Sequence, residues 1–120
     1  MTSESREVDA LLPLPPATFH ILMSLAGGDR HGYAILQDVA TRTGGRMKLG
    51  AGTLYRSIQR MRDRRLIEES RRRPARALDD ERRRYYRLTR LGEAVARAES
   101  QRLEELVELA RERGFAPSTT

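Results

Sequence analysis

The stretch GTLYRSIQRMRDRRLIEES, Gly52 to Ser70, changes its period part-way along. In its first part Leu54, Ile58 and Met61 stand at i, i+4 and i+7, which puts three apolar groups on one stripe of a helix. Gly50 and Gly52 precede that helix, with Thr53 in or next to the capping position. After Leu66 the pattern alternates through Ile67 to Ser70 and again through Arg84 to Leu88, with Pro74, Asp79 and Asp80 between. That is the signature of a β-hairpin with a long tip. The helix carries Thr53, Arg56, Ser57, Gln59, Arg60 and Arg64 on its other faces. A helix of about four turns with an anchored inner face and hydrogen-bonding groups outside suits a groove about 12 Å wide. Arg71, Arg72, Arg73 and Arg76 decorate the descending side of the hairpin, and Arg82, Arg83 and Arg84 the ascending side. Arginines so placed can reach phosphates or a minor groove.

Upstream, Pro13, Pro15 and Pro16 form an extended lead-in, and proline is tolerated in a helix's first turn. The helix expected after Pro16 is apolar nearly all round, through Phe19, Ile21, Leu22, Met23 and Leu25, the mark of a buried central helix. Gly27 and Gly28 end it. Asp29 offers a cap to a second helix carrying Tyr33, Ile35, Leu36 and Val39, which stops at Gly44 and Gly45, where left-handed backbone is cheap. Met1 to Ala10 is polar and acidic, unlike a secretory signal. Residues 1–12 therefore read as a disordered tail.

Downstream, Thr89 caps a last helix running to about Arg113, before Gly114 and Pro117 end it. At 100° intervals Leu91, Val95, Ala98, Leu106 and Leu109 fall in one sector, and Ala96, Leu103, Val107 and Ala110 in the next. An arc of about 180° exceeds the stripe of roughly 100° needed to rest on one surface. The helix therefore calls for two partners, its own domain and a symmetry mate, because two-fold homodimers are the commonest assembly. Its dimerisation residues read as Leu91, Val95, Ala98, Leu103, Leu106, Val107, Leu109 and Ala110. A helix of about 22 residues is roughly 33 Å long, close to the 34 to 36 Å between successive major-groove faces.

Charge points to the partner. Arg46 to Arg90 holds sixteen Lys or Arg against six Asp or Glu, which is +10, while Met1 to Gly45 and Leu91 to Thr120 are each −2, giving the +6 of the whole. A chain basic merely for solubility would spread its charge, whereas this concentration fits a polyanion. At 120 residues, 38% hydrophobic and 33% charged, the chain has room for one domain. The absence of Cys excludes disulfides and thiolate chemistry and suits a reducing cytoplasm. No window approaches the roughly 18 apolar residues of a membrane span.

Several residues carry two readings. Tyr55 can touch a phosphate or pack beside Ile58 and Gln59. Tyr85 and Tyr86 point to opposite faces of a strand, so one is core and the other free. His20 and His31 lack Cys or carboxylate neighbours, which speaks against a metal or catalytic role, and His31 instead caps or orients the second helix. Gly52 and Gly92 read as structural, the first letting the third helix start tightly and the second letting the last helix sit close to the body. Ser57 has no adjacent base to activate it as a nucleophile. Neither cofactor nor catalytic residue is expected.

Helix, helix, helix, hairpin, with charge on the third helix and hairpin, is the order of a winged helix-turn-helix. The expected fold is α+β, mainly α: residues 13–89 form that DNA-binding unit, 90–113 a long C-terminal dimerisation helix and 114–120 a flexible tail. HGYAI at His31 to Ile35, GTLY at Gly52 to Tyr55 leading into RRLIEE at Arg64 to Glu69, and RRYYRLTRLG at Arg83 to Gly92 narrow the reading further. Across about Pro16 to Gly92 the chain resembles the PadR family of bacterial transcriptional regulators, in its subgroup with a single C-terminal helix. The resemblance implies a dimeric repressor that reads a palindromic operator in double-stranded DNA and releases it when a small-molecule effector binds. Thr53, Tyr55, Arg56, Ser57, Gln59, Arg60, Arg71, Arg72, Arg73, Arg76, Arg83 and Arg84 are the DNA-binding candidates. The family commonly has proline after GTLY where this chain has Arg56, and the tryptophans with which some relatives sandwich flat drugs have no counterpart in a chain without Trp. Two alternatives stand beside this reading: an RNA-binding module, against which the scarcity of aromatics for stacking argues, and a protein-interaction adaptor, which has no need of a +10 patch.

Overall fold

The computed structural model describes residues 2–70 and 84–118. Within them the chain forms α1 (Ser3–Ala10), α2 (Pro16–Ala26), β1 (Arg30–His31), α3 (Gly32–Arg42), α4 (Ala51–Asp63), β2 (Ile67–Ser70), β3 (Tyr85–Leu88) and α5 (Arg90–Glu112). The strands make an antiparallel sheet in the order β1-β3-β2, with Ile67 opposite Leu88, Ser70 opposite Tyr85 and His31 also opposite Tyr85. This is the expected α+β, mainly helical winged-helix architecture. The strand β1 was not expected; two residues are too few to show a period.

The core explains the arrangement. Pro16 stands at the start of α2, where its missing N–H costs nothing. Ile21, Leu22 and Leu25 of α2 are buried on several sides because α3, α4, α5 and β3 all lie against this helix. Ile35 and Val39 of α3, Leu54, Ile58 and Met61 of α4, Leu66 and Ile67 at the start of β2, Tyr86 of β3 and Val95 and Ala96 of α5 complete the cluster.

Helix ends follow a shared chemistry. The α3 terminus closes with Gly44 N–H donating to the Thr41 carbonyl at 3.2 Å and Gly45 N–H to the Ala40 carbonyl at 2.8 Å, both glycines at positive φ. This double closure satisfies carbonyls that the helix leaves open. The α4 terminus makes the same pair of bonds, Arg65 N–H to Arg62 and Leu66 N–H to Met61, but the left-handed position is held by Arg65 at φ 60°. At the start of α3 the cap is His31, whose Nδ1 accepts from Ala34 N–H at 3.1 Å. The expected cap, Asp29, instead accepts from the Ser70 hydroxyl across the sheet, because β1 lies between it and the helix. Thr53 does not cap α4 either: Gly50 holds that position without a side-chain bond, and Thr53 lies inside the first turn.

Two expectations at the chain ends are corrected. The expected disordered tail, residues 1–12, contains α1. Thr2 caps it by accepting from Ser5 N–H at 3.0 Å, and Val8, Leu11, Leu12 and Leu14 fasten it and the following lead-in to the core. Composition hid this because polar residues surround the apolar anchors. At the other end, expected to be a flexible tail from residue 114, Gly114 turns the chain back and the Pro117 carbonyl accepts from Arg111 Nε at 2.8 Å.

Candidate nucleic-acid interface

Helix α4 is built to show one face. Leu54, Ile58 and Met61 are buried beneath it, at most 3% exposed, which fixes its rotation. Thr53, Arg56, Gln59 and Arg60 are consequently exposed, and Ser57 is half-buried at the edge. Arg56 leans along the helix, its Nη2 3.4 Å from the Thr53 hydroxyl, and Gln59 donates to Asp63 at 3.0 Å. Among the described residues neither Arg56 nor Arg60 makes an ion pair. Cations left without carboxylate partners keep their full charge for an anion. Tyr55 is 54% exposed. Its hydroxyl would lie 2.8 Å from a Cβ placed on Gly32, so the ring rests over the start of α3.

The hairpin root supports the same face differently. Arg62 leans toward Glu69 at 3.9 Å and Arg87 pairs with Glu68 at 2.9 Å, so these two cations at the root have carboxylate partners. Tyr86 is the core member of its pair, and burial pushes its hydroxyl up above the ordinary tyrosine value against the pull of Arg62 and Arg84. Tyr85 is not free, as had been expected of the other member: its ring meets the edge of His31 with centroids 5.3 Å apart. Arg84 is exposed just before β3. Arg71, Arg72, Arg73, Arg76 and Arg83 lie outside the described residues.

Helix α5 corrects the expectation of two apolar sides facing two partners along its length. Val95 is fully buried and Ala96 is 8% exposed, while Leu91 and Ala98 are half-buried against the same core, so these positions belong to the chain's own domain. Val95 in particular has no surface left for dimerisation. The flank that carries Ala94 and Ala98 is met by α1, the segment that the sequence reading left out of the fold. Beyond Glu99 no element covers either side within the described residues: Leu106, Val107 and Leu109 are 49%, 44% and 44% exposed, with Leu103 and Ala110 half-buried. At about 100° per residue Leu103, Leu106, Val107 and Ala110 continue the face that Val95, Ala96 and Glu99 bury. Phe115 is 87% exposed as well and was missed, since it follows the glycine that ends the helix.

Thr89 joins α5 to α4. Its hydroxyl donates to the Arg65 carbonyl at 2.6 Å and accepts from Gly92 N–H at 3.0 Å, while its own N–H donates to the Leu66 carbonyl at 3.1 Å. The end of the exposed helix and the start of the long one are thus clipped together. Among the described residues no group of His, Cys, Asp and Glu could hold a metal ion, and no helix is long and apolar enough to cross a membrane.

A helix presenting arginines that have no carboxylate among the described residues thus stands beside a hairpin, with a long helix behind. The model of the transcriptional regulator PadR-like family matches residues 21–98. The chain belongs to that family. PadR-like proteins are transcriptional regulators, not enzymes. This PadR-like chain is 35% identical over 74 residues to an uncharacterized protein of Lysinibacillus sphaericus, a match spanning 62% of this chain and 65% of that relative's length. Its fold is similar to that of a PadR family transcription regulator from Clostridium difficile R20291, with a TM-score of 0.68 at 23% identity over 82% of this chain and 97% of the other. It is also similar to Bacillus subtilis PadR in complex with operator DNA, with a TM-score of 0.58 at 20% identity over 72% of this chain and 47% of that one.

Proposed function

We propose that this PadR-like chain is a repressor that binds a pseudo-palindromic operator as a homodimer. The observation that carries the reading is α4, anchored by Leu54, Ile58 and Met61 and presenting Thr53, Arg56, Gln59 and Arg60 on the opposite side. Arginine donates in bidentate fashion to guanine and glutamine to adenine in the major groove, so this set has the chemistry of base reading. The Bacillus subtilis relative solved with operator DNA supports the same use of the fold. The arginines of the hairpin, from Arg71 to Arg84, grip the flanking backbone in this reading.

Pairing proceeds through the uncovered half of α5, with Leu103, Leu106, Val107, Leu109 and Ala110 facing a second copy. Its 23 residues give a helix of about 35 Å, which suits half-sites about one turn of DNA apart. Release by a small-molecule effector belongs to the same proposal, with its place beside Leu103 and Val107, between α5 and the partner's body. Footprinting of the DNA immediately upstream of the gene tests the whole. Two protected half-sites about 10 base pairs apart, centre to centre, are expected; a lone half-site occupied by monomer overturns the reading.

A further inference from the structure

The loop between α3 and α4 carries two cations for which the base-reading helix and the hairpin give no account. It runs from Thr43 to Gly50 and is held at several points. Thr43 donates its hydroxyl to the Val39 carbonyl at 2.8 Å and accepts from Met47 N–H at 3.0 Å. Gly44 and Gly45 close the end of α3, and Met47 and Leu49 pack half-buried against the core. Between these anchors the residues alternate, Arg46 and Lys48 exposed, Met47 and Leu49 turned inward. Arg42, Arg62 and Arg87 each have a carboxylate, Asp38, Glu69 and Glu68 respectively. Arg46 and Lys48 have none among the described residues, although the loop leads directly into the N-terminal end of α4.

Resting on the DNA-binding reading above, we infer that this loop is a second backbone clamp, in which Arg46 and Lys48 each neutralise one phosphate of duplex DNA. It acts at the N-terminal end of α4, while β2 and the hairpin leave from the other end. The clamp brackets the helix in its groove. Because Thr43, Met47 and Leu49 already fix the loop, little backbone entropy is lost when the phosphates are engaged. Contacts of this kind set register and orientation and carry no sequence information of their own.

The test is a salt titration of binding to a random-sequence duplex of about 30 base pairs, long enough for two half-sites, comparing the unsubstituted full chain with R46Q/K48Q. Each protomer loses two phosphate contacts and the dimer four, so the slope of log affinity against log salt is expected to fall by about 3.6, and affinity near 0.1 M salt by about 4,000-fold. The double variant R6Q/R97Q removes the same charge from exposed positions on α1 and α5 and is expected to leave the slope unaltered. Equal losses for both variants would mean a general charge effect and overturn the clamp, as would an R46Q/K48Q slope identical to the unsubstituted one. An unsubstituted chain with no salt-dependent affinity for duplex DNA instead overturns the DNA-binding reading itself.

Discussion

At Glu99 a carboxylate is 2% exposed, buried beside the apolar core. It accepts from Leu14 N–H at 3.1 Å and from Arg102 Nη2 at 2.9 Å, which ties the proline-rich lead-in to α5. The hydrogen bonds from Arg102 hold its carboxyl below the ordinary 4.5, against desolvation and with help from the Leu14 amide. A depressed folded value means that the ionised form stabilises the fold above about pH 4.5, and that this contribution is lost as pH falls through the folded value. Glu99→Gln is therefore expected to lose about 1.5–3 kcal/mol at pH 7, the worth of hydrogen bonds to a charged group. The gap from the unsubstituted chain should shrink on acidification, as urea unfolding at several pH values would show. On the outer face the matching experiment is Arg60→Ala. If Arg60 reads a base, the ratio of operator to random-DNA affinity should fall by about 1–3 kcal/mol, with the random-DNA term moving less. Both residues stand at positions whose type is plain in the sequence. For Arg60 the sequence suggests a role, whereas nothing near Glu99 in the chain announces Leu14 as its partner.

At the scale of elements, the first turns of α4 and α5 each hold a glycine, and the two look alike in the sequence. A Cβ on Gly92 would lie 2.0 Å from the Leu66 carbonyl oxygen, a backbone atom that cannot yield without moving α5 off the sheet. A Cβ on Gly52 would meet only the guanidinium of Arg56, at 3.2 Å, and that side chain can swing away. Gly92→Ala is thus expected to cost about 1–3 kcal/mol, the range for an overpacked site. Gly52→Ala should be neutral, or stabilising by up to about 1 kcal/mol, since glycine is the poorer helix former. Denaturant unfolding of the two variants side by side checks the contrast. The sequence reading called both structural, and the contacts separate them. Arg65 makes the same point from the other direction: two of the three closures of this type contain a glycine in the left-handed position, and the third does not. Arg64, which the sequence places on the outer face of α4, is accordingly its cap.

For the molecule as a whole the decisive surface is the outer half of α5. Leu106 and Val107 are exposed while the first half of the same helix is buried, so charge placed there should leave the monomer fold intact. The double substitution L106E/V107E is expected to shift the chain to monomer in sedimentation at micromolar concentration. If the homodimer reading holds, it should also weaken binding to a two-half-site duplex far more than to a single half-site. A variant that sediments as the unsubstituted chain does would place the interface elsewhere. Residues 46 to 90 carry +10 and the rest of the chain −4, so the acidic ends, α1 and α5, can approach another copy without opposing the DNA-facing side.

What the amino-acid order determined alone is everything that repeats or punctuates locally. The stripe of Leu54, Ile58 and Met61, the Thr89 cap, the glycine stops after α3 and the switch of period at Leu66 are written in neighbouring residues, because helix, strand and cap are short-range devices. What only the tertiary structure decided is which of several equivalent apolar groups finds a neighbour. Tyr86 rather than Tyr85 enters the core, α1 folds because α5 offers it a surface, β1 exists because β3 stands beside it, and Val95 is consumed while Val107 stays open. Burial is a property of two surfaces meeting, and a pattern along one chain records only the first of them.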